Sequence, residues 1–148
     1  MAGVELFPVP DLVAYLTGNW RLEREILDAS GATTGTVAGS ATFVMEDSVL
    51  VYREAGTLEM GGYQGPVTRE LHYRPDGPGR ASVHFDHGGF FHDVDLREGR
   101  WDSTHPCRDD VYRGGYRVLA ADRWRQEWAV TGPAKDHVLL TWFSRRPG

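Results

Sequence analysis

Two histidines and the chain's single cysteine form the pattern closest to a chemical site. A two-residue turn at Glu98-Gly99 predicts a β-hairpin. Extending its register places His92 directly opposite His105, and Phe90 opposite Cys107. Directly opposed residues have Cβ atoms about 4.5–5.5 Å apart. We therefore expect His92, His105 and Cys107 to point together into the protein.

Three interpretations of this group remain open. Imidazole and thiolate are the usual zinc ligands, so His92, His105 and Cys107 could hold a metal ion, with Asp110 as a further ligand. No second His-x-Cys motif completes such a site, and we expect no bound metal. One histidine could instead move a proton while Tyr112 stabilises negative charge. The plainest interpretation is a hydrogen-bonded histidine pair that lines a mostly filled cavity.

An aromatic wall follows the cysteine in the sequence. Tyr112 and Tyr116 share one face of a predicted strand, and a turn near residues 120–122 places Gly114 opposite Trp128 on the next strand. The missing glycine side chain makes room for the indole. Aromatic side chains with polar tips suit a cavity that holds and orients an organic ligand, although an ordinary aromatic core gives the same pattern.

Arg24 is the charged residue that the alternation turns inward. It shares a face with Trp20, Leu22 and Ile26, where a charge is costly unless it is paired. It could clamp a carboxylate or phosphate through its fork, or form an ion pair with Glu54 or Glu70.

Two other basic residues are candidates for a site. Arg53 is a second candidate for an anion clamp, on a face that the pattern leaves ambiguous. Lys135, the only lysine, lies between turn formers and beside Asp136, which predicts a surface position.

The elements that position these residues are almost entirely strands. Asp11 is placed to cap a short helix over residues 11–16, and Gly18 to end it. Beyond Gly18 the period becomes two. Nine further strands are predicted at about residues 35–45, 48–60, 63–74, 80–87, 90–97, 100–107, 111–119, 123–132 and 137–146. About ten antiparallel strands without an interior helix favour an all-β closed barrel, with a sandwich of the same strands as the alternative, in one domain over residues 1–148.

Three features resemble the calycin superfamily, which includes lipocalins, fatty-acid-binding proteins and nitrobindin-like barrels. They are the short helix, the Gly-x-Trp at residues 18–20, and an arginine at the end of the last strand, Arg145 or Arg146. The resemblance implies that Trp20 plugs the closed end of the barrel and that the arginine stacks across it. Nearly the whole chain is also similar to an uncharacterised bacterial family of calycin-like domains. This likeness implies a fold but no activity.

The nitrobindin likeness also implies a haem alternative. Such barrels bind haem through a histidine near the start of the last strand, where His137 lies. His137 shares a face with Leu139, Thr141 and Phe143, which is a candidate exterior face. Our expectation is no cofactor, with haem at His137 as the alternative.

Composition limits the function classes. The 148 residues carry a net charge of −5 without a basic run, which argues against nucleic acid and anionic membranes as partners. One cysteine allows no internal disulfide. The first residues lack a basic region and no apolar run reaches the length of a membrane span. We expect a cytoplasmic protein, with a homodimer as an option.

Together these patterns predict a small-molecule binder. The ligand would be largely apolar or aromatic, would carry an acidic or polar group, and would lie inside the barrel. The residues expected to contact it are Arg24, His92, His105, Cys107, Tyr112, Tyr116 and Trp128. The alternatives are an isomerase- or cyclase-type enzyme that uses His92 or His105 with Tyr112 or Arg24, a haem protein, and an interaction module whose interior is filled.

Overall fold

The computed structural model describes residues 5–146, which form a short helix and ten antiparallel strands. Helix α1 spans Leu12–Leu16. The strands are β1 (Gly18–Asp28), β2 (Thr33–Glu46), β3 (Val49–Met60), β4 (Tyr63–Pro75), β5 (Arg80–Phe85), β6 (Phe90–Asp95), β7 (Arg100–Cys107), β8 (Asp110–Ala120), β9 (Arg123–Gly132) and β10 (Lys135–Arg145). The predicted elements are confirmed. In the described residues no helix has the length and apolar character needed to cross a lipid bilayer.

The helix begins and ends at the residues that the sequence indicates. The Asp11 side chain accepts a hydrogen bond from the Ala14 amide at 3.1 Å, which satisfies a free donor of the first turn. The Thr17 amide still bonds back to Val13, and Gly18 then turns the chain with φ of +126°. That backbone conformation strains any residue with a Cβ.

The sheet closes through its first and last strands. Its order is β6-β5-β4-β3-β2-β1-β10-β9-β8-β7, with Trp20 opposite Arg145 in the β1–β10 ladder. The result is a nearly closed barrel. The predicted hairpin between β6 and β7 is wrong, because these two strands lie at the two ends of the sheet order.

One end of the barrel is plugged as the resemblance implied. Trp20 is fully buried, and its indole donates to the Leu16 carbonyl at 2.8 Å. The guanidinium of Arg145 lies 4.1 Å from the centre of the Trp20 ring and donates to the carbonyls of Tyr15 and Thr17. Arg145, rather than Arg146, is therefore the stacking arginine. A cation–π contact of this kind contributes about 0.5–2 kcal/mol.

Above this plug the barrel is filled by aromatic rings. Trp124 stacks on Phe143 at a centroid distance of 3.9 Å and on Tyr116 at 5.6 Å. Burial of each such side chain contributes about 1.5–3 kcal/mol. We call the interior near Trp20 and Trp124 the aromatic floor.

The predicted register between β8 and β9 is confirmed. Tyr116 lies opposite Gln126, and Gly114 lies opposite Trp128. A Cβ added at Gly114 would come within 2.4–2.6 Å of the Trp128 ring, whereas one added at the neighbouring Gly115 would meet only side-chain atoms of Asp102 and Arg117 near 3 Å. Gly114 is thus a packing requirement of the interior.

Replacing Gly114 tests this packing. Gly114→Ala should lower the free energy of unfolding by about 1–3 kcal/mol, because a well-packed interior cannot absorb a methyl group without strain. Gly115→Ala is the matched control and should change it by less than about 0.5 kcal/mol. Urea unfolding followed by tryptophan fluorescence measures both, and equal losses for the two variants would refute the assignment.

Candidate functional site

A β-bulge in β6 sets the side chains on one wall of the interior. Val83 of β5 pairs with His92, but His84 pairs with Phe90, so Phe91 is the extra residue. Phe91 and His92 are consequently both buried, while Phe90 is 51% exposed. The prediction that Phe90 shares an inner face with His92 is wrong, because the bulge breaks the alternation.

The three residues of the predicted cross-strand group differ in burial. His92 is buried, His105 is half-buried and pairs with Tyr112 of β8, and Cys107 is exposed and pairs with Asp110. Phe91 contacts the rings of both His92 and His105, at centroid distances of 4.7 and 5.4 Å. The expected inward position of Cys107 is wrong, since its strand pairs only with β8.

His92 is held as a neutral acceptor inside the barrel. Its Nδ1 lies 2.9 Å from the Asp93 carbonyl, which can only accept, so Nδ1 carries the proton. Burial lowers the pKa of His92 to about 4, with a smaller contribution from the charge of Arg69. The Nε2 atom is then an unprotonated acceptor, and it is buried without a hydrogen-bond partner among residues 5–146.

Arg24 is paired with Glu54, one of the two partners that the sequence offered. Two hydrogen bonds of 2.8 and 3.0 Å join the guanidinium of Arg24 to the carboxylate of Glu54, and Arg24 Nε donates to the Thr141 hydroxyl at 2.7 Å. The two side chains are only 9% and 3% exposed. Burial alone would raise the pKa of Glu54, but the Arg24 guanidinium and a hydrogen bond from Tyr52 hold it below its ordinary value. Both terminal nitrogens of Arg24 are therefore bound to Glu54, the ion pair that the sequence offered as the alternative to an anion clamp.

Two buried tyrosines form a second polar link across the interior. The hydroxyls of Tyr73 and Tyr116 lie 2.7 Å apart. Burial raises the pKa of Tyr73 to about 12 and that of Tyr116 well above its ordinary value. Both hydroxyls stay protonated at neutral pH.

Arg69 is the site residue that the sequence reasoning missed. It lies on β4 opposite Glu54 and shares the inward face of that strand with Leu71 and Tyr73. Within residues 5–146 it has no ion pair or hydrogen bond. Burial is the largest influence on the pKa of five inner groups, and the positive charge of Arg69 lowers the pKa of each of them. These groups are Tyr52, Glu54, Tyr73, His92 and Tyr116. The alternation that identified Arg24 would have identified it.

These side chains form a layer that we call the polar band. Its members are Arg24, Tyr52, Glu54, Arg69, Tyr73, His92, Tyr116 and Thr141. The band lies between the aromatic floor and a set of half-buried apolar side chains that we call the mouth ring, made of Leu58, Val67, Phe85, Tyr112 and Leu139. The indole nitrogens of Trp124 and Trp128 are buried donors without partners in the same interior.

The interior is packed rather than hollow. Phe91 stacks on Trp128 at 4.8 Å and on Phe85 at 4.7 Å. Cavities of about 620 and 480 Å³ lie on the outer wall of the barrel. A ligand that reaches the polar band must therefore displace side chains of the mouth ring.

The remaining candidate residues lie at the rim or outside. His137 is half-buried on the face of Thr141 and Phe143, which is the inner face rather than the exterior one. Haem binding there stays a prediction that rests on this one side chain. In residues 5–146 no three His, Cys, Asp or Glu side chains converge as metal ligands.

The two outer basic candidates are both paired. Arg53 binds Glu46 at 2.6 Å and Glu70 at 3.0 Å on the outer wall. Lys135 lies at the surface, 3.3 Å from Asp110. Neither side chain belongs to the polar band.

Solved structures share this fold at low sequence identity. The S-type phycobiliprotein lyase CPES from Guillardia theta has a TM-score of 0.63 and 10% identity over 92% of this chain and 91% of its own. A protein of unknown function from the DUF3598 family of Nostoc punctiforme has a TM-score of 0.64 and 12% identity, over 98% of this chain and 52% of its own. The protein EF1p2_mFAP2b bound to DFHBI has a TM-score of 0.53 and 12% identity, over 93% and 99%.

Sequence comparison places the chain in a family. No curated protein sequence matches it. One family model matches residues 16–145, which include Trp20, the polar band and Arg145. The chain therefore belongs to DUF6314, a family of unknown function.

Proposed function

We propose that the barrel binds a small, largely apolar or aromatic molecule through an acidic group. The observation that carries this proposal is Arg69, an inward arginine without a partner in residues 5–146. Arg69 is half-buried, and a charge that is partly withdrawn from water without a partner costs free energy. A ligand carboxylate, sulfonate or phosphate would supply the missing partner through a charge-assisted hydrogen bond.

The polar band offers further contacts that a ligand can use. His92 Nε2 is a free acceptor, and the indole nitrogens of Trp124 and Trp128 are free donors. Buried polar atoms without partners are rare in folded proteins, and each needs an explanation. A bound molecule with one hydroxyl and one carbonyl or acid group would satisfy atoms of both kinds.

The mouth ring supplies the apolar contacts. Its members are half-buried and pack against the core, so their side chains would move aside for a ligand and then contact it. The same fold holds DFHBI in EF1p2_mFAP2b. We place the acid of the ligand at Arg69 and its apolar body against Leu58, Val67 and Leu139.

Binding is favoured over proton transfer as the role of His92. A general base works best when its pKa lies near the working pH, whereas the pKa of His92 is about 4. Its environment suits a hydrogen-bond acceptor. An isomerase- or cyclase-type activity would use His105 as a second group, and both imidazole rings pack against the apolar ring of Phe91.

The first test of the proposal uses 1-anilinonaphthalene-8-sulfonate, an aromatic anion that fluoresces when it enters an apolar site. Arg69→Gln should weaken its binding about tenfold or more, because a hydrogen bond to a charged group contributes about 1.5–3 kcal/mol. Arg74→Gln is the matched control, since Arg74 lies on β4 but is exposed. Its effect should stay below about twofold.

A neutral dye separates the contribution of the anionic group from that of the aromatic body. N-phenyl-1-naphthylamine keeps the aromatic body and lacks the sulfonate, so its binding should not depend on Arg69. An Arg69→Gln variant that binds the sulfonate as well as the wild type refutes the role of Arg69. If neither dye binds, the barrel is a filled module and the proposal is wrong.

The neutral state of His92 predicts a pH dependence of stability. Its pKa is near 6.5 in the unfolded chain and about 4 in the folded one, so the unfolded state binds more protons between these values. Stability should therefore fall by about 2 kcal/mol between pH 7 and pH 4.5 on account of this group. His92→Phe should remove that part of the fall, as measured by urea unfolding at both pH values. His84→Gln, a change on the outer wall, should leave it in place, and an unchanged fall in His92→Phe would contradict the assignment.

A further inference from the structure

The outer wall of the barrel carries a second concave site, which we call the outer hollow. It has a volume of about 480 Å³ and lies across β7, β8 and β9. Its lining includes Asp102, Arg113, Gly115, Arg117, Arg125 and Glu127. None of the polar band residues lines it.

A glycine makes the floor of the hollow. Gly115 lies between Asp102 of β7 and Glu127 of β9 as their strand partner. Its φ is outside the left-handed region, so the backbone does not require a glycine there. An added Cβ would meet Asp102 Oδ1 at 2.9 Å and Arg117 Nη1 at 3.3 Å. The absent side chain opens space between charged groups.

A row of three arginines borders this floor. Arg100, Arg117 and Arg125 are successive strand partners on β7, β8 and β9. Like charges in directly opposed positions destabilise a sheet. Asp102 pairs with Arg100 at 3.2 Å and with Arg117 at 3.0 Å, which leaves Arg125 without an ion pair or hydrogen bond in the described part of the chain.

The charge of the hollow is opposite to that of the whole protein. Arg113 borders the floor on the far side of Gly115 and has no ion pair or hydrogen bond in residues 5–146. Three arginines and two carboxylates line the hollow, in a chain whose net charge is −5. Arg100, the strand partner of Arg117, borders the hollow and brings the local excess to two positive charges. This excess matches a dianion, and the planar guanidinium groups match phosphate or carboxylate oxygens.

An apolar recess continues from the arginine row. A second cavity of about 420 Å³ shares Arg100, Arg117 and Arg125 with the row, and Leu6, Leu119 and Trp142 complete its lining. Trp142 is the strand partner of Arg125 and is 39% exposed. The arginine row therefore has the polar hollow on one side and an apolar, aromatic surface on the other.

We infer that the outer hollow binds a small organic dianion with an aromatic or apolar body. The anionic group lies on the row of Arg117 and Arg125, and the body packs against Trp142 and Leu119. Asp102 and Glu127 face the hollow from both sides and accept hydrogen bonds from ligand hydroxyls. Phosphate monoesters and aromatic dicarboxylates share this chemistry.

The test uses phenyl phosphate and phthalate, with inorganic phosphate and phenol as partial ligands. Titration at constant ionic strength, followed by calorimetry and by NMR of the Gly115 amide and the Trp142 indole, should show saturable binding of phenyl phosphate or phthalate with a Kd below about 1 mM. The compound that binds with the lower Kd shows whether the anionic group of the ligand is a phosphate monoester or a dicarboxylate. Inorganic phosphate should bind at least fivefold more weakly, because it lacks the body that contacts Trp142, and phenol should not bind.

Three variants decide the outcome. Arg125→Gln should weaken binding at least fivefold, and Gly115→Val should abolish it by filling the floor. Arg123→Gln is the matched control, because Arg123 is exposed on the same strand and lies outside both cavities; it should change the Kd by less than twofold. Binding that survives Gly115→Val, equal losses in the two arginine variants, or no saturable binding overturns the inference. Arg69→Gln should leave phenyl phosphate binding unchanged, which keeps this site distinguishable from the barrel interior.

Discussion

Pairing between the first and last strands is the constraint on which the rest of the structure depends. The β1–β10 ladder runs from Trp20 opposite Arg145 to Asp28 opposite His137. It forms only when the two ends of the chain meet, so it carries the largest loop-closure entropy in the sheet. Once formed, it converts one face of a long meander into an interior. The cation–π contact of Arg145 with Trp20 lies at the closed end of this ladder and favours the register that closes the barrel.

The opposite side of the barrel is joined by other means. Strands β6 and β7 are not paired, and the Asp93 carbonyl instead accepts hydrogen bonds from His92 Nδ1 at 2.9 Å and from Trp101 Nε1 at 2.7 Å. Near the closed end, the amide of Val9 donates to the Leu96 carbonyl at 3.0 Å. Side chains and the N-terminal segment thus replace a ladder here. That replacement frees β6 to form the bulge that turns both Phe91 and His92 inward.

Most of the architecture could be predicted from alternation and turn residues, and the failures share a physical cause. Period-two patterning and Gly114 opposite Trp128 were sufficient for the strands and for the β8–β9 register, because one buried face specifies register strongly. The turn at Glu98-Gly99 resembles a hairpin, yet a local signal cannot show that the two strands diverge. A bulge has no compositional mark either, so the inward position of Phe91 does not follow from the sequence. Cys107 is exposed for a different reason, because it lies at the end of β7, which pairs only with β8. Arg69 is a further case, because the alternation that predicts Arg24 extends to β4 and identifies it there.

The polar band is the part of the interior that stability alone does not explain. A buried ion pair such as Arg24 with Glu54 costs desolvation, and replacing such pairs with apolar residues is often neutral or stabilising by about 1–4 kcal/mol. That pair does connect β1 with β3, and Arg24 also reaches Thr141 of β10, so a role in fixing the strand arrangement accounts for it. Arg69 connects nothing in the described chain, and its charge opposes no carboxylate that Arg24 does not already hold. The proposed ligand would give this half-buried charge the partner that the described residues do not supply, and the mouth ring lies on the side from which that ligand would enter.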